Sequence, residues 1–389
     1  MDDKLLTFML EGFRKPIIQE KDPYFYICGG RYSYDEIEAM SLQEFCVRRN
    51  SSIPKHLYKY YSDSKVIDDG IEHNYSREAL VNGTVYMHNV QDFDDNYDCL
   101  LSVTYDDFVR ARLLSYAKIL GIKQAEDSNV NMLMCKIADN LYRQVSAGKT
   151  INDIIEIINS KFNSEKVKLQ HEVFLRKVFV TTIENKNRAD CWQIALRSSL
   201  DYEYKNVINY ADNFRIACFS ETPYLVDMWS RQYAGNHHGF CVEYQMPDRC
   251  DANDKRILDL FPVIYSDNRK NLIDSCIDEL ENEITLQYLE NIYKYGLLAK
   301  SKTLWMQQRE WRLILAGNMQ ESNYLCNFYP ITKVFLGQKM GLDERKEIIE
   351  ICEQKGIPYV GVKPMSFDYE MTECPGNCKD CVSINDKCS

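Results

Sequence analysis

Four cysteines, Cys374, Cys378, Cys381 and Cys388, follow the spacing C-x3-C-x2-C-x6-C. Thiolates this close together, with Pro375, Gly376 and Asn377 to turn the backbone, suit a tetrahedral zinc ion or an iron–sulfur cluster. Zinc is the expected occupant, because no other motif suggests redox chemistry. A second concentration of reactive types lies between the apolar runs 214–219 and 239–244: Ser220, Glu221, Thr222, Trp229, Ser230, Arg231, His237 and His238. Polar and aromatic groups on a connection held by a rigid sheet are where binding and catalysis concentrate. His237 and His238 are adjacent and would face opposite sides of a strand, so they do not make a metal pair by themselves. His238, before Gly239, either donates to a ligand or caps the strand. A third group is Glu310-Trp311-Arg312, which reads as an ion pair at a strand edge or as a catalytic carboxylate with its partner. No Ser-His-Asp order and no paired histidine–glutamate zinc motif occurs.

These groups need a sheet to position them. Leu57-Tyr58-Lys59-Tyr60-Tyr61, Thr84 to His88, Phe214 to Phe219, Gly239 to Tyr244, Phe261 to Tyr265, Trp311 to Leu315, Ile331 to Gly337 and Tyr359 to Val362 all have strand composition. Between Tyr105 and about Leu200 the apolar residues instead recur at helical spacing, for example Ile151, Ile154, Ile155 and Ile158. That region is expected to be a helical insertion packed on the sheet. Its Gly148-Lys149-Thr150 lacks the upstream glycine of a phosphate loop. Asn271 to about Lys302 reads as one long helix, and Asp343 to Lys355 as a helix stopped by Gly356. The loop Asp92 to Asp98 is so acidic that it is either solvated or built to position a ligand. Glu221, Arg231, Glu243, Glu310 and Arg312 are expected to form a buried carboxylate–arginine network.

The chain has 389 residues, 45% of them apolar, ordinary for a globular protein with room for more than one module. Its formal charge of -11 argues against a global electrostatic grip on nucleic acid. No apolar run is long enough to span a bilayer, and the first residues make a poor signal peptide, so a cytoplasmic location with no membrane partner is expected. Fifteen cysteines are an odd number, and the eleven outside the tail sit in apolar surroundings as small hydrophobes of a reducing compartment.

In its motifs the chain resembles the bacterial family known as domain of unknown function 2971. The resemblance rests on Leu57-Tyr58-Lys59-Tyr60, Gly83-Thr84-Val85-Tyr86 with the acidic loop, Cys218-Phe219-Ser220-Glu221, Met228-Trp229-Ser230, His238-Gly239-Phe240-Cys241-Val242-Glu243-Tyr244 and Glu310-Trp311-Arg312. It covers roughly residues 54–340. Tyr61 stands where the family often has arginine, and the loop around Arg231 to Ala234 is one residue longer than usual. More distantly, the order of elements is similar to the split sheet of the ADP-ribosyltransferase-like fold. That likeness implies Lys59, Ser220 and Glu310 as the catalytic set. It implies NAD or another nucleotide held by Tyr60, Tyr61, Ser62, Phe219, Trp229, Arg231, His238 and Arg312, with a protein or nucleic-acid acceptor. Glu310 would stabilise the oxocarbenium-like ribose as nicotinamide leaves. For Trp229 and Trp311 plain core packing is the simpler reading.

The sequence thus predicts an α+β protein with a mixed or antiparallel sheet, split if the ADP-ribosyltransferase-like likeness holds. A leader segment spans 1–53, a main domain 54–365 with its helical insertion at 104–200, and a Cys-rich tail 366–389. Two functions are compatible with it. One is an NAD-using transferase or glycohydrolase acting as a toxin or phage-defence effector. The other is a non-catalytic scaffold that senses a ligand or binds a partner.

Overall fold

The structure is a computed structural model. It describes residues 22–374 apart from 69, 94, 96, 124, 126–127, 183–188, 249–252, 283–284 and 317–324. Among the described residues nine strands form one sheet: β1 (His56–Tyr61), β2 (His88–Asn89), β3 (Phe214–Ser220), β4 (Phe240–Gln245), β5 (Leu260–Pro262), β6 (Glu310–Ala316), β7 (Ile331–Leu336), β8 (Tyr359–Pro364) and β9 (Met371–Cys374). Their order is β5-β6-β3-β1-β4-β7-β8-β9, with β2 also paired to β3. All pairs are antiparallel except β7 with β8, which are joined by the helix Leu342–Lys355. That helix ends where Gly356 takes a left-handed conformation at φ 66°, a position glycine accepts without strain. The fold is α+β with a mixed sheet.

The central strands are buried on both faces, which accounts for their nearly unbroken apolar composition. In β3, Phe214 and Ile216 join one core while Ala217 and Phe219 join another. In β6, Ile314 faces the first core and Trp311 and Leu313 the second. The first core is roofed by five helices, Tyr105–Ile119, Val130–Ser146, Ile151–Asn159, Glu165–Thr182 and Ala189–Ile208. Thr104, Asn129 and Thr150 cap the first three by accepting hydrogen bonds from backbone amides of the first turn. Phe25, Ile27, Ile37, Met40 and Phe45 pack into the same core.

Three expected elements are broken. The strand expected over Thr84 to His88 divides at Met87: Thr84–Tyr86 pairs with Leu325–Asn327 in a separate two-stranded sheet, and His88–Asn89 is β2 of the main sheet. The other two breaks also matter to the site. The strand expected over Phe261 to Tyr265 divides at Val263: β5 stays in the main sheet, while Ile264–Tyr265 joins a four-stranded sheet with Phe25–Ile27, Gly30–Tyr32 and Ala299–Lys300. The single helix expected from Asn271 to Lys302 is instead two short helices, Ile273–Glu281 and Leu286–Asn291, followed by a π-helical turn over Ile292–Leu297. Asn282 is extended and bonds back to Asp278, ending the first helix, and Thr285 caps the second. After the π turn, Ala299–Lys300 runs as a strand parallel to Ile264–Tyr265. Lys300 therefore leaves the helical register and enters the protein interior.

Among the described residues no helix is long and apolar enough to cross a membrane. Cys374 is the buried last residue of β9, whereas Cys378, Cys381 and Cys388 lie outside the described residues.

Candidate functional site

A cleft of about 380 Å³ opens where the main sheet divides. Strand β1 meets β3 at one pair, Tyr58 with Ser220, while β2 takes the other end of that edge, His88 with Ile216. Side chains from β1, β2 and the last three residues of β3 line the gap between these pairings. Lys59, Tyr60, Tyr61, Ser62, Phe219, Ser220 and Glu310 all line this cleft, so the three residues expected to be catalytic share one space. Tyr75, Tyr86, Phe93 and Tyr233 add further aromatic walls.

Glu310 does not stand free in it. Its Oε1 accepts from Arg312 Nε at 2.7 Å and its Oε2 from Lys300 Nζ at 2.7 Å. Arg312 Nη2 reaches Asp98 at 2.7 Å, and Lys300 Nζ closes the ring to Asp98 at 3.4 Å. All four side chains are almost wholly buried, so the charges neutralise one another in a closed ring. Burial alone would raise the Glu310 carboxyl, but Arg312 and Lys300 outweigh it and hold the group well below the usual carboxylate range. Burial would lower the Lys300 ammonium, and Glu310 and Asp98 reverse that. Glu310 is thus a permanently ionised, immobile carboxylate. It is suited to fixing a ligand hydroxyl or facing positive charge, and unsuited to carrying a proton.

The network differs from the expected one in three members. Glu221 accepts from Trp311 Nε1 at 2.9 Å, and Glu243 accepts from the hydroxyls of Tyr58 and Thr332 at 2.9 and 2.6 Å. Arg231 pairs with Asp227 and lies over the Trp305 ring, near the surface. Asp98 and Lys300 take their places, each brought in by an irregular segment rather than a regular strand.

Lys59 is the opposite case. Its side chain is buried at 3% exposure, and its ammonium hydrogen-bonds to none of the described residues. Its near contacts are the rings of Tyr61 and Phe219, at 5.4 and 5.8 Å. Burial pushes it down to about 8, only partly opposed by Cys218, Glu310 and Cys241. His88 lines the same cleft, and burial, with Lys59 adding to it, pushes its imidazole down to about 3, so it is neutral. The Gln308 side chain donates nothing from its buried Nε2, although its Oε1 accepts from Lys300 at 3.1 Å. The cleft therefore holds one buried donor without a partner, Gln308 Nε2, which is costly unless a ligand or water meets it, and beside it the Lys59 ammonium, which hydrogen-bonds to none of the described residues. Ser220 is committed: its hydroxyl donates to the Gln308 carbonyl at 2.8 Å.

Four residues expected at the site do not line the cleft. Trp229 is fully buried, donates to the Pro223 carbonyl and packs edge-on to Tyr60, as a core aromatic does. His238 is exposed, with Nδ1 donating to the Gly235 and Asn236 carbonyls, so it caps its own turn. Arg231 is held by Asp227, and Arg312 acts from behind Glu310. Conversely, Asp98, Lys300, His88 and Gln308 were missed as site residues. Only the acidic loop that carries Asp98 had a visible signal.

Residues 228–313 match the family model described as "Protein of unknown function (DUF2971)". No curated protein and no solved structure matches the chain, so the comparisons return no ADP-ribosyltransferase-like relative. The matched stretch contains Lys300, Gln308 and Glu310, one side of the cleft, and Arg312 behind them. Among the described residues no group of three or more His, Cys, Asp or Glu side chains is arranged to hold a metal ion.

Proposed function

We propose that the cleft binds a small nucleotide-class ligand, NAD first among them, with the ribose facing Glu310 and a flat ring between the tyrosines and phenylalanines. The observation that supports this reading is the convergence of Lys59, Gln308 and Glu310 in one aromatic-lined cleft. Two donors, Lys59 Nζ and Gln308 Nε2, that bond to none of the described residues are available for ligand oxygens, and the fixed carboxylate is available for ribose hydroxyls or developing positive charge. Turnover of NAD would release nicotinamide and pass the ADP-ribosyl group to water or an acceptor nucleophile, an activity that would suit a toxin or phage-defence effector. Calorimetric titration with NAD, run beside an assay for nicotinamide release, tests both parts. Wild type is expected to bind. Glu310→Gln is expected to lose turnover by tenfold or more while still showing a folded melting transition. Absence of NAD binding to the wild type overturns the nucleotide reading.

A second reading is favoured by one observation: both Glu310 oxygens are already occupied by cations. A carboxylate neutralised in this way supports ligand sensing without turnover. Binding with no nicotinamide release is its expected signature.

We also propose that Cys374, Cys378, Cys381 and Cys388 hold a zinc ion, supported by their spacing. Metal analysis of the full chain should find about one zinc per molecule, lost when residues 375–389 are removed. Equal metal content in both chains, or none in either, overturns it.

A further inference from the structure

We propose that Lys59 is an amine nucleophile that forms an imine with an aldehyde or ketone bound in the cleft. This goes beyond the nucleotide reading and does not depend on it. The geometry carries it. Lys59 is buried, lines an open cleft and has no ion-pair partner among the described residues, while Glu310 on the cleft wall is already bound by Lys300 and Arg312. A lysine kept solely for structure at such a burial would be expected to have a partner. Its immediate surroundings are the rings of Tyr61 and Phe219, the kind of desolvated pocket that shifts an amine toward its neutral, nucleophilic form. Burial pushes it down to about 8, which agrees with this.

The two other buried nucleophiles of the cleft, Ser220 and Cys218, are not free to compete. The Ser220 hydroxyl is engaged with the Gln308 carbonyl, and burial pushes the Cys218 thiol well up, keeping it protonated. Gln308 Nε2, a buried donor without a partner, is available to the carbonyl oxygen. In the reaction the amine lone pair of Lys59 forms a C–N bond to the carbonyl carbon. The carbinolamine then loses its oxygen as water, taking the two amine protons with it and leaving a C=N bond. No oxidant or reductant is consumed. The walls Tyr75, Tyr86 and Phe93 favour a carbonyl compound that carries a flat apolar ring.

The test uses the full chain with benzaldehyde and sodium cyanoborohydride, which reduces any imine to a stable secondary amine, followed by peptide mass spectrometry. At pH 8 an amine titrating near 8 has about a hundredfold more free base than an ordinary lysine. Lys59 is therefore expected to be benzylated roughly tenfold or more faster than an exposed lysine such as Lys65, even allowing for restricted access. Lys59→Arg keeps the charge but cannot form the imine, and the Lys59-specific label should disappear while the melting transition remains. Labelling of Lys59 no faster than Lys65 overturns the proposal, whatever the NAD titration gives. Slower labelling when NAD is added would place the two ligands in one cleft, and the NAD titration without aldehyde keeps the two failures distinct.

Discussion

At the scale of single residues, the site contrasts two buried charges handled in opposite ways. Glu310 is held by two cations and Lys59 has no ion-pair partner among the described residues, although both line one cleft. The unpaired amine has a thermodynamic cost that can be measured. Its folded value of about 8 lies below the ordinary 10.5, so between those values the unfolded chain binds more protons and stability rises with pH. Below pH 8 the penalty is complete, about 3 kcal/mol by linkage. Lys59→Met, which keeps length and loses charge, is expected to raise stability at pH 7 by about 1–3 kcal/mol and to flatten the profile between pH 8 and 10. Denaturant titrations at several pH values check this. A variant less stable than wild type at pH 7 would mean that the ammonium is paired in solution.

At the scale of elements, the cleft depends on how tightly β1 and its neighbours close around the turn that precedes β4. Gly239 stands where that turn enters the sheet, and a Cβ there would lie 1.9 Å from the Tyr61 carbonyl oxygen, a backbone atom that cannot swing away. Tyr61 pairs with Phe240 in the ladder, so any shift spreads along β1 to Lys59. Gly239→Ala is expected to destabilise the protein by about 3 kcal/mol or more and to weaken ligand binding in whatever fraction stays folded. An unchanged unfolding midpoint would show that the strands separate more easily than their register implies. The broken helix before Lys300 belongs to this scale too. Periodicity over Leu272, Ile273, Cys276, Ile277, Leu280 and Ile284 reads as helix and continues past the break, because apolar spacing carries no information about where the chain turns back. The turn is made by Asn282 and Thr285, and the π turn and the parallel strand after it are set by neighbours remote in sequence.

At the scale of the whole molecule, the helical insertion shares a core with the sheet and does not stand apart from it. Its most buried cation, Arg112, forms a two-toothed pair with Glu203 at 2.9 and 3.0 Å and approaches Glu281, outside the insertion, at 3.6 Å. The Tyr116 hydroxyl accepts from the same guanidinium at 3.2 Å. Arg112→Met would leave Glu203 buried without its partner, at a cost of about 3–5 kcal/mol. Because Phe214 and Ile216 of β3 belong to the core that the insertion covers, this loss should lower a single cooperative melting transition. Calorimetry that resolves two transitions would instead make the insertion an independent domain.

The sequence by itself determined the fold class, most of the strands, the helical insertion and the stop at Gly356, because these follow from local periodicity and caps. It also marked Lys59, Ser220 and Glu310, and the cleft holds all three. Only the tertiary structure decided which groups pair. Glu310 closes its ring with Asp98 and Lys300, residues that lie 212 and 10 positions away along the chain and that no pattern links. Lys59 has no ion-pair partner among the described residues because the available carboxylate is already taken. Pairing is a competition in space between groups brought together by strand register, and sequence spacing does not record its outcome.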